Sequence, residues 1–128
     1  MVEPIPIRVL TRKDEITNEF LKLADQYIND LLQSREHRKF HAKDFAALLF
    51  VHPRHLTNTI KLTTGRSPCD IVEEKMVIAA KELLTATQRS VSDIAYHLGY
   101  NEATNFIKFF KGLTGISPLQ YRKQEGKN

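Results

Sequence analysis

Two stretches of this chain read alike: Asp44–Pro68, DFAALLFVHPRHLTNTIKLTTGRSP, and Asp93–Pro118, DIAYHLGYNEATNFIKFFKGLTGISP. Asp44 answers Asp93, Ala46 answers Ala95, and Leu49 answers Leu98. After one extra residue in the second copy, Leu56 answers Phe106, Ile60 answers Phe110 and Lys61 answers Lys111. Gly65 and Ser67-Pro68 then answer Gly115 and Ser117-Pro118. Each copy reads as a short helix, a tight turn, a second helix and a glycine stop. A capping serine and a proline suited to the first helical position follow. That is the outline of a helix-turn-helix.

Two hairpins duplicated for core burial alone would need one apolar face each and would mix charges on the other. Helical phase decides between the readings. At about 100° per residue, Leu56, Ile60 and Thr63 share one side of the first copy's second helix, as do Phe106, Phe110 and Leu113 in the second. Opposite them stand Arg54, Asn58 and Lys61 in the first, and Thr104, Lys108 and Lys111 in the second, with Thr57 and Ile107 at matching edges. Pro53–Pro68 and Ala103–Lys123 contain no acid at all; the cations there include Arg66, Arg122 and Lys123. The aromatic residues are expected in the core and the cations against a polyanion.

Working outward, helical periodicity runs almost throughout. Ile16, Phe20, Leu23, Ala24, Tyr27, Ile28 and Leu31 recur at intervals of three and four, predicting a helix over 14–33. SREHRK connects it to short helices over 42–50 and 53–64. A long helix over 68–87 follows, carried by Val72, Met76, Ala79, Ala80, Leu83 and Leu84. Helices from Val91 to Gly99, over 102–113 and from Pro118 complete the chain. Capping boxes are expected at Ser90 with Asp93 and at Ser117 with Gln120. The fold class is all-α: two helix-turn-helix subdomains joined by a long linker helix, about seven helices in all. The expected segments are 1–39 (an N-terminal stretch and first helix capping the first subdomain), 40–67, 68–89 (the linker), 90–123 and a tail over 124–128. The linker is roughly 30 Å long at its helical rise. Successive major grooves on one face of duplex DNA lie about 34 Å apart. One chain is thus expected to set two recognition helices into adjacent grooves of an asymmetric site.

The bulk numbers exclude several classes. The 128 residues amount to one domain or two very small subdomains, and 41% hydrophobic with 27% charged residues lies away from disorder. No run approaches a membrane span, and MVEPIPIRVL lacks the form of a secretory signal, so a cytoplasmic protein is expected. The net charge of +4 is small, but its distribution is informative. Residues 1–50 hold 8 basic and 8 acidic residues, so the excess lies wholly in the second part, 11 against 7. Cys69 is the one cysteine, which excludes an internal disulfide and a cysteine-rich zinc site. It is expected to fill space at a capping turn. His52 and His55 lack further ligands nearby, so capping or surface roles are expected and no metal. No phosphate loop, HExxH or nucleophile set is present; neither an enzyme nor a cofactor is expected.

The second copy, SVSDIAYHLGYNEATNFIKFFKGLTGISPLQYR, with KMVIAAKELL and HPRHLTNTIKLTTG, resembles the DNA-binding domain of the AraC/XylS family of bacterial transcription regulators, over roughly Phe40–Lys123. The resemblance implies a bilobed all-helical domain on double-stranded DNA. It assigns base reading to Arg54, Thr57 and Asn58 in the first copy and to Ala103, Thr104, Asn105, Ile107 and Lys108 in the second. Lys61 and Lys111 match positions near phosphates, and Arg66, Ser67 and Ser117 are counted with them. Several residues depart from the pattern. Ala103 offers only apolar contact, such as a thymine methyl. Asn58 favours adenine readout, His52 replaces a Ser or Thr cap, and Lys75 replaces an arginine. Phe50 stands where the second copy has Gly99, so the first turn is expected to take a different backbone.

Transcriptional regulation, with activation by resemblance, follows as the expected function, with RNA polymerase as a partner. The rival reading is a protein-interaction or nonspecific nucleic-acid-binding module on the same fold. The chain reads as either a stand-alone short regulator or an excised C-terminal module; IPIRVL suits an interdomain linker, which favours the second, and an N-terminal sensor domain is expected only in that case.

Overall fold

The computed structural model describes residues 11–126, and their regular structure is wholly helical. Seven helices follow in order: α1 (Arg12–Leu32), α2 (Ala42–Leu48), α3 (Pro53–Thr64), α4 (Pro68–Ala86), α5 (Val91–His97), α6 (Ala103–Thr114) and α7 (Pro118–Glu125). The expected ends fall within about two residues of these. The IPIRVL segment lies outside the described residues.

The chain divides into two compact units. The first takes residues up to Asp25 together with Phe40–Ile71; the second takes Gln26–Lys39 and residues from Val72 onward. In the first unit, Ile16, Phe20 and Ala24 of α1 are buried with Phe45, Ala46 and Leu49, and with Leu56 and Ile60 of α3. Phe45 holds Phe20 and Phe40 in edge-on ring contacts at 5.4 and 5.5 Å. Each such ring taken fully from water contributes about 1.5–3 kcal/mol. The buried Thr17 hydroxyl shares a 2.7 Å hydrogen bond with Thr63. That bond is a polar tie between α3 and α1.

In the second unit, Tyr27, Ile28 and Leu31 are buried, as are Val72, Met76, Ala79, Ala80 and Leu84 of α4. Ile94, Ala95, Leu98, Tyr100, Phe106 and Phe110 complete this core. The unit boundary falls inside α1, between Asp25 and Gln26, so Phe20 is buried in the first unit and Tyr27 and Leu31 in the second. A ring series runs Tyr100–Phe106–Phe110–Tyr121 at 5.5, 6.0 and 5.7 Å. The Tyr27 hydroxyl donates to the Arg38 carbonyl at 3.0 Å, and the Lys39 ammonium sits 4.3 Å over the Tyr100 ring.

The two helix-turn-helix corners share a backbone despite different residues. Gly99 has φ 92°, and Phe50 has φ 57°. The expected difference between the turns is therefore not found: Phe50 itself adopts the left-handed conformation, which costs a non-glycine residue about 1–2 kcal/mol. Crowding explains why only one corner needs glycine. A Cβ at Gly99 would meet the Lys39 nitrogen at 3.2 Å and the Arg38 carbonyl carbon at 3.3 Å. Phe50, by contrast, is 93% exposed.

Candidate nucleic-acid interface

The start of α3 is fixed by His52 and Pro53. His52 Nδ1 accepts the Arg54 backbone N–H at 3.1 Å, and Pro53 opens the helix. Capping through Nδ1 requires that nitrogen to be unprotonated. The expected capping role of His52 is thus what the structure shows. Beyond it, Arg54, Asn58 and Lys61 are exposed and Thr57 is half-buried. The first turn carries no acid and the last turn carries Lys61. Gly65 closes the helix, its N–H donating to the Lys61 carbonyl at 2.8 Å.

The α6 helix repeats this layout. Thr104, Asn105, Lys108 and Lys111 are exposed, Ala103 is half-buried, and Ile107 is 36% exposed at the edge of the same face. Its first turn also lacks an acid and its last carries Lys111. Gly115 returns its N–H to the Lys111 carbonyl at 2.8 Å. Glu102 takes the capping position of α6 without a side-chain cap bond. Each set of expected base-reading residues therefore lies along one helix. Each faces solvent over a buried stripe, Leu56 with Ile60 and Phe106 with Phe110. Such a face offers donors, acceptors and positive charge, with no acid within either helix and Glu102 just before α6.

The remaining expected phosphate residues sit at helix starts. Ser67 Oγ accepts the Asp70 N–H at 3.0 Å, capping α4, while Arg66 Nη2 donates to the Asp70 carbonyl at 3.3 Å. Ser117 and Gln120 form both halves of a capping box, at 3.1 and 3.0 Å. At α5 the Ser90 half is present, Oγ accepting the Asp93 N–H at 3.0 Å.

Three expectations are corrected. Leu113 is 53% exposed rather than buried, because the covered stripe ends at Phe110 and Leu113 lies in the final turn of α6. Cys69 is exposed in the first turn of α4 and fills no gap. Arg122, counted with the cations facing a polyanion, turns inward. Its Nε donates to the Leu84 carbonyl at 2.9 Å and its Nη2 to the Thr87 carbonyl at 3.4 Å, satisfying the end of α4. A signal for this existed: α4 fades at TATQRS with no glycine to close it, so its last carbonyls need a donor from elsewhere.

Sequence reasoning also missed His97. The Arg89 guanidinium can only donate, so His97 Nδ1 accepts from it at 3.1 Å and Nε2–H donates to the Leu32 carbonyl at 3.1 Å. The ring thereby caps the last turn of α1 from α5. Among the described residues no group of three or more His, Cys, Asp or Glu could hold a metal, and no helix is long and apolar enough to cross a membrane.

Two helix-turn-helix units, each with a carboxylate-free polar face on its second helix, define a double helix-turn-helix domain of the nucleic-acid-binding class. A family model described as a helix-turn-helix domain matches residues 45–124. The chain belongs to that family, the AraC-type helix-turn-helix domains of DNA-binding transcriptional regulators. It is 30% identical over 128 residues to the uncharacterised HTH-type transcriptional regulator YtdP of Bacillus subtilis, covering 97% of this chain and 16% of that protein. It thus spans a small part of that relative's length. Among solved structures it is similar to the C-terminal domain of AraT, a response regulator from Geobacillus stearothermophilus. The TM-score is 0.76 at 25% identity, covering 89% of this chain and 88% of that one. The DNA-binding domain of the global transcriptional factor AdpA, solved with a target DNA, shares the fold with a TM-score of 0.70 at 22% identity, covering 84% and 90%.

Proposed function

We propose that this chain reads double-stranded DNA sequence-specifically through α3 and α6 and regulates transcription, as an activator. The observation that carries this reading is the matched pair of exposed faces, each polar and cationic over a buried stripe and free of acid. Arg54 suits the O6 and N7 acceptors of guanine, and Asn58 the N6 and N7 pair of adenine. Thr104, Asn105 and Lys108 offer donors to a second set of bases, and Ala103 with Ile107 apolar contact to thymine methyls. Lys61, Lys111, Arg66 and the α4 and α7 starts at Ser67 and Ser117 hold phosphates, where backbone N–H groups and the helix dipole favour an anion.

The two copies are joined by α4, a continuous helix of 19 residues, roughly 28 Å at 1.5 Å per residue. A linker of that length favours a DNA site with two preferred segments about one helical turn apart. Because the copies differ in sequence, the segments differ too, and the site is asymmetric. RNA polymerase is the partner that activation implies, a sensor domain is the regulatory input in a longer protein, and the cytoplasm is the compartment. A mobility-shift titration on genomic fragments across salt concentrations tests the reading. It predicts fragments bound about 10³-fold or more tighter than bulk DNA. Binding that depends on salt but not on sequence would leave only a nonspecific binder, and no binding at all would leave a protein-interaction module.

A further inference from the structure

The register of the repeat sets His55 against Asn105, since each stands one residue before a buried counterpart, Leu56 in the first copy and Phe106 in the second. Asn105 lies on the outer face of α6, so His55 holds the matching place on α3. At about 100° per residue, that face of α3 is centred on Arg54, Asn58 and Lys61, with His55 on one flank and Thr57 on the other. The flanks differ in presentation: His55 is exposed and Thr57 half-buried. Among the described residues, none gives His55 a hydrogen bond, an ion pair or a ring contact. His52, three residues earlier, has one ring nitrogen committed to the start of α3; both nitrogens of His55 are available to a ligand. The fold gains little from this imidazole.

We propose that His55 is a further base-reading residue, and that it reads a guanine next to the base that Arg54 meets. The inference rests on the DNA-binding reading above. Position argues for it, because His55 stands in the first turn of α3, the part of a recognition helix that reaches base edges. Chemistry selects the base. A neutral imidazole carries one N–H donor and one acceptor, and the two point apart, so a single base edge is met by one of them alone. Guanine offers N7 and O6 side by side in the major groove, two acceptors with no donor between them. Adenine sets an amino group beside its N7, and thymine sets a methyl group beside its O4. The N–H donor of either tautomer is therefore met best by guanine. Asn105 differs in carrying a donor and an acceptor on one amide, which suits adenine. The matching places of the two copies thus ask for different bases, in keeping with an asymmetric site.

The test is selection from random duplexes with the wild-type chain, His55→Ala and His55→Asn, followed by titration of the selected site with each base at every position. Alanine favours a helix, asparagine is close to histidine in helix propensity, and no bond is lost, so both variants fold. The wild type should prefer guanine by about 3–10-fold, the worth of one net hydrogen bond, next to the position that Arg54→Ala relaxes. His55→Ala should level that one position and leave the others within about twofold. His55→Asn should move the preference there to adenine. A His55→Ala chain that keeps every preference overturns the inference. So does one that weakens all sequences alike, which makes the imidazole a phosphate contact, and so does a His55→Asn chain that still prefers guanine. A wild-type chain with no sequence preference at all overturns the DNA-binding reading itself, a separate outcome.

Discussion

Arg54 and Lys111 are both exposed cations on helix faces, yet their positions separate their work. Arg54 stands in the first turn of α3 and Lys111 in the last turn of α6; in the proposed reading the first reaches base edges and the second the backbone of the duplex. Arg54→Ala should cost about 1–3 kcal/mol at a preferred site and relax base preference there. Lys111→Ala should weaken every sequence alike and reduce the salt slope by about one. Titrations of both variants against specific and random duplexes at several salt concentrations check this division; equal losses from the two would refute it. Phe50 and Gly99 make a second contrast at this scale. Phe50→Gly relieves left-handed strain but adds unfolded-state freedom, so chemical denaturation should show a net change of about 0–1 kcal/mol towards stability. Gly99→Ala should destabilise by more than about 1 kcal/mol, since its Cβ would press on the Lys39 nitrogen. Tyr100 adds a pH dependence. Burial, with help from Glu73 and Tyr27, pushes its phenol well above the ordinary value near 10. The unfolded chain therefore ionises first, and stability present below about pH 10 falls as pH rises past it. Tyr100→Phe should flatten that alkaline decline in denaturation curves.

At the scale of helices, most boundaries were legible because their signals are local. Pro53, Ser67-Pro68, Ser117-Pro118, Gly65 and Gly115 mark starts and stops by backbone chemistry that neighbours cannot override. The candidate face of each recognition helix was legible for a similar reason: burial of Leu56, Ile60, Phe106 and Phe110 fixes by phase what must point outward. What sequence left hidden depends on distant partners. Arg122 looks like any surface cation until the Leu84 and Thr87 carbonyls lie 2.9 and 3.4 Å from it. Leu113 obeys the helical period but sits one turn past the covered stripe. Arg122→Ala should cost about 1–3 kcal/mol by leaving the end of α4 without its donor. The salt slope of DNA binding should stay as in the parent chain, unlike that of Lys111→Ala. Thermal unfolding and salt titration of the same variant distinguish this structural role from a phosphate contact.

At the scale of the molecule, the repeat gives two helix-turn-helix units, and in the proposed reading each takes its own DNA segment at an interval of about one helical turn. Composition alone would not have found it, because a net charge of +4 is ordinary; the two acid-free windows at matching places in the repeat did. Selection from random duplexes, followed by alignment of the enriched sequences, measures that interval directly. The account predicts two dissimilar preferred segments whose centres lie about 10–10.5 base pairs apart. A single preferred segment, or two segments offset by half a helical turn, would contradict it.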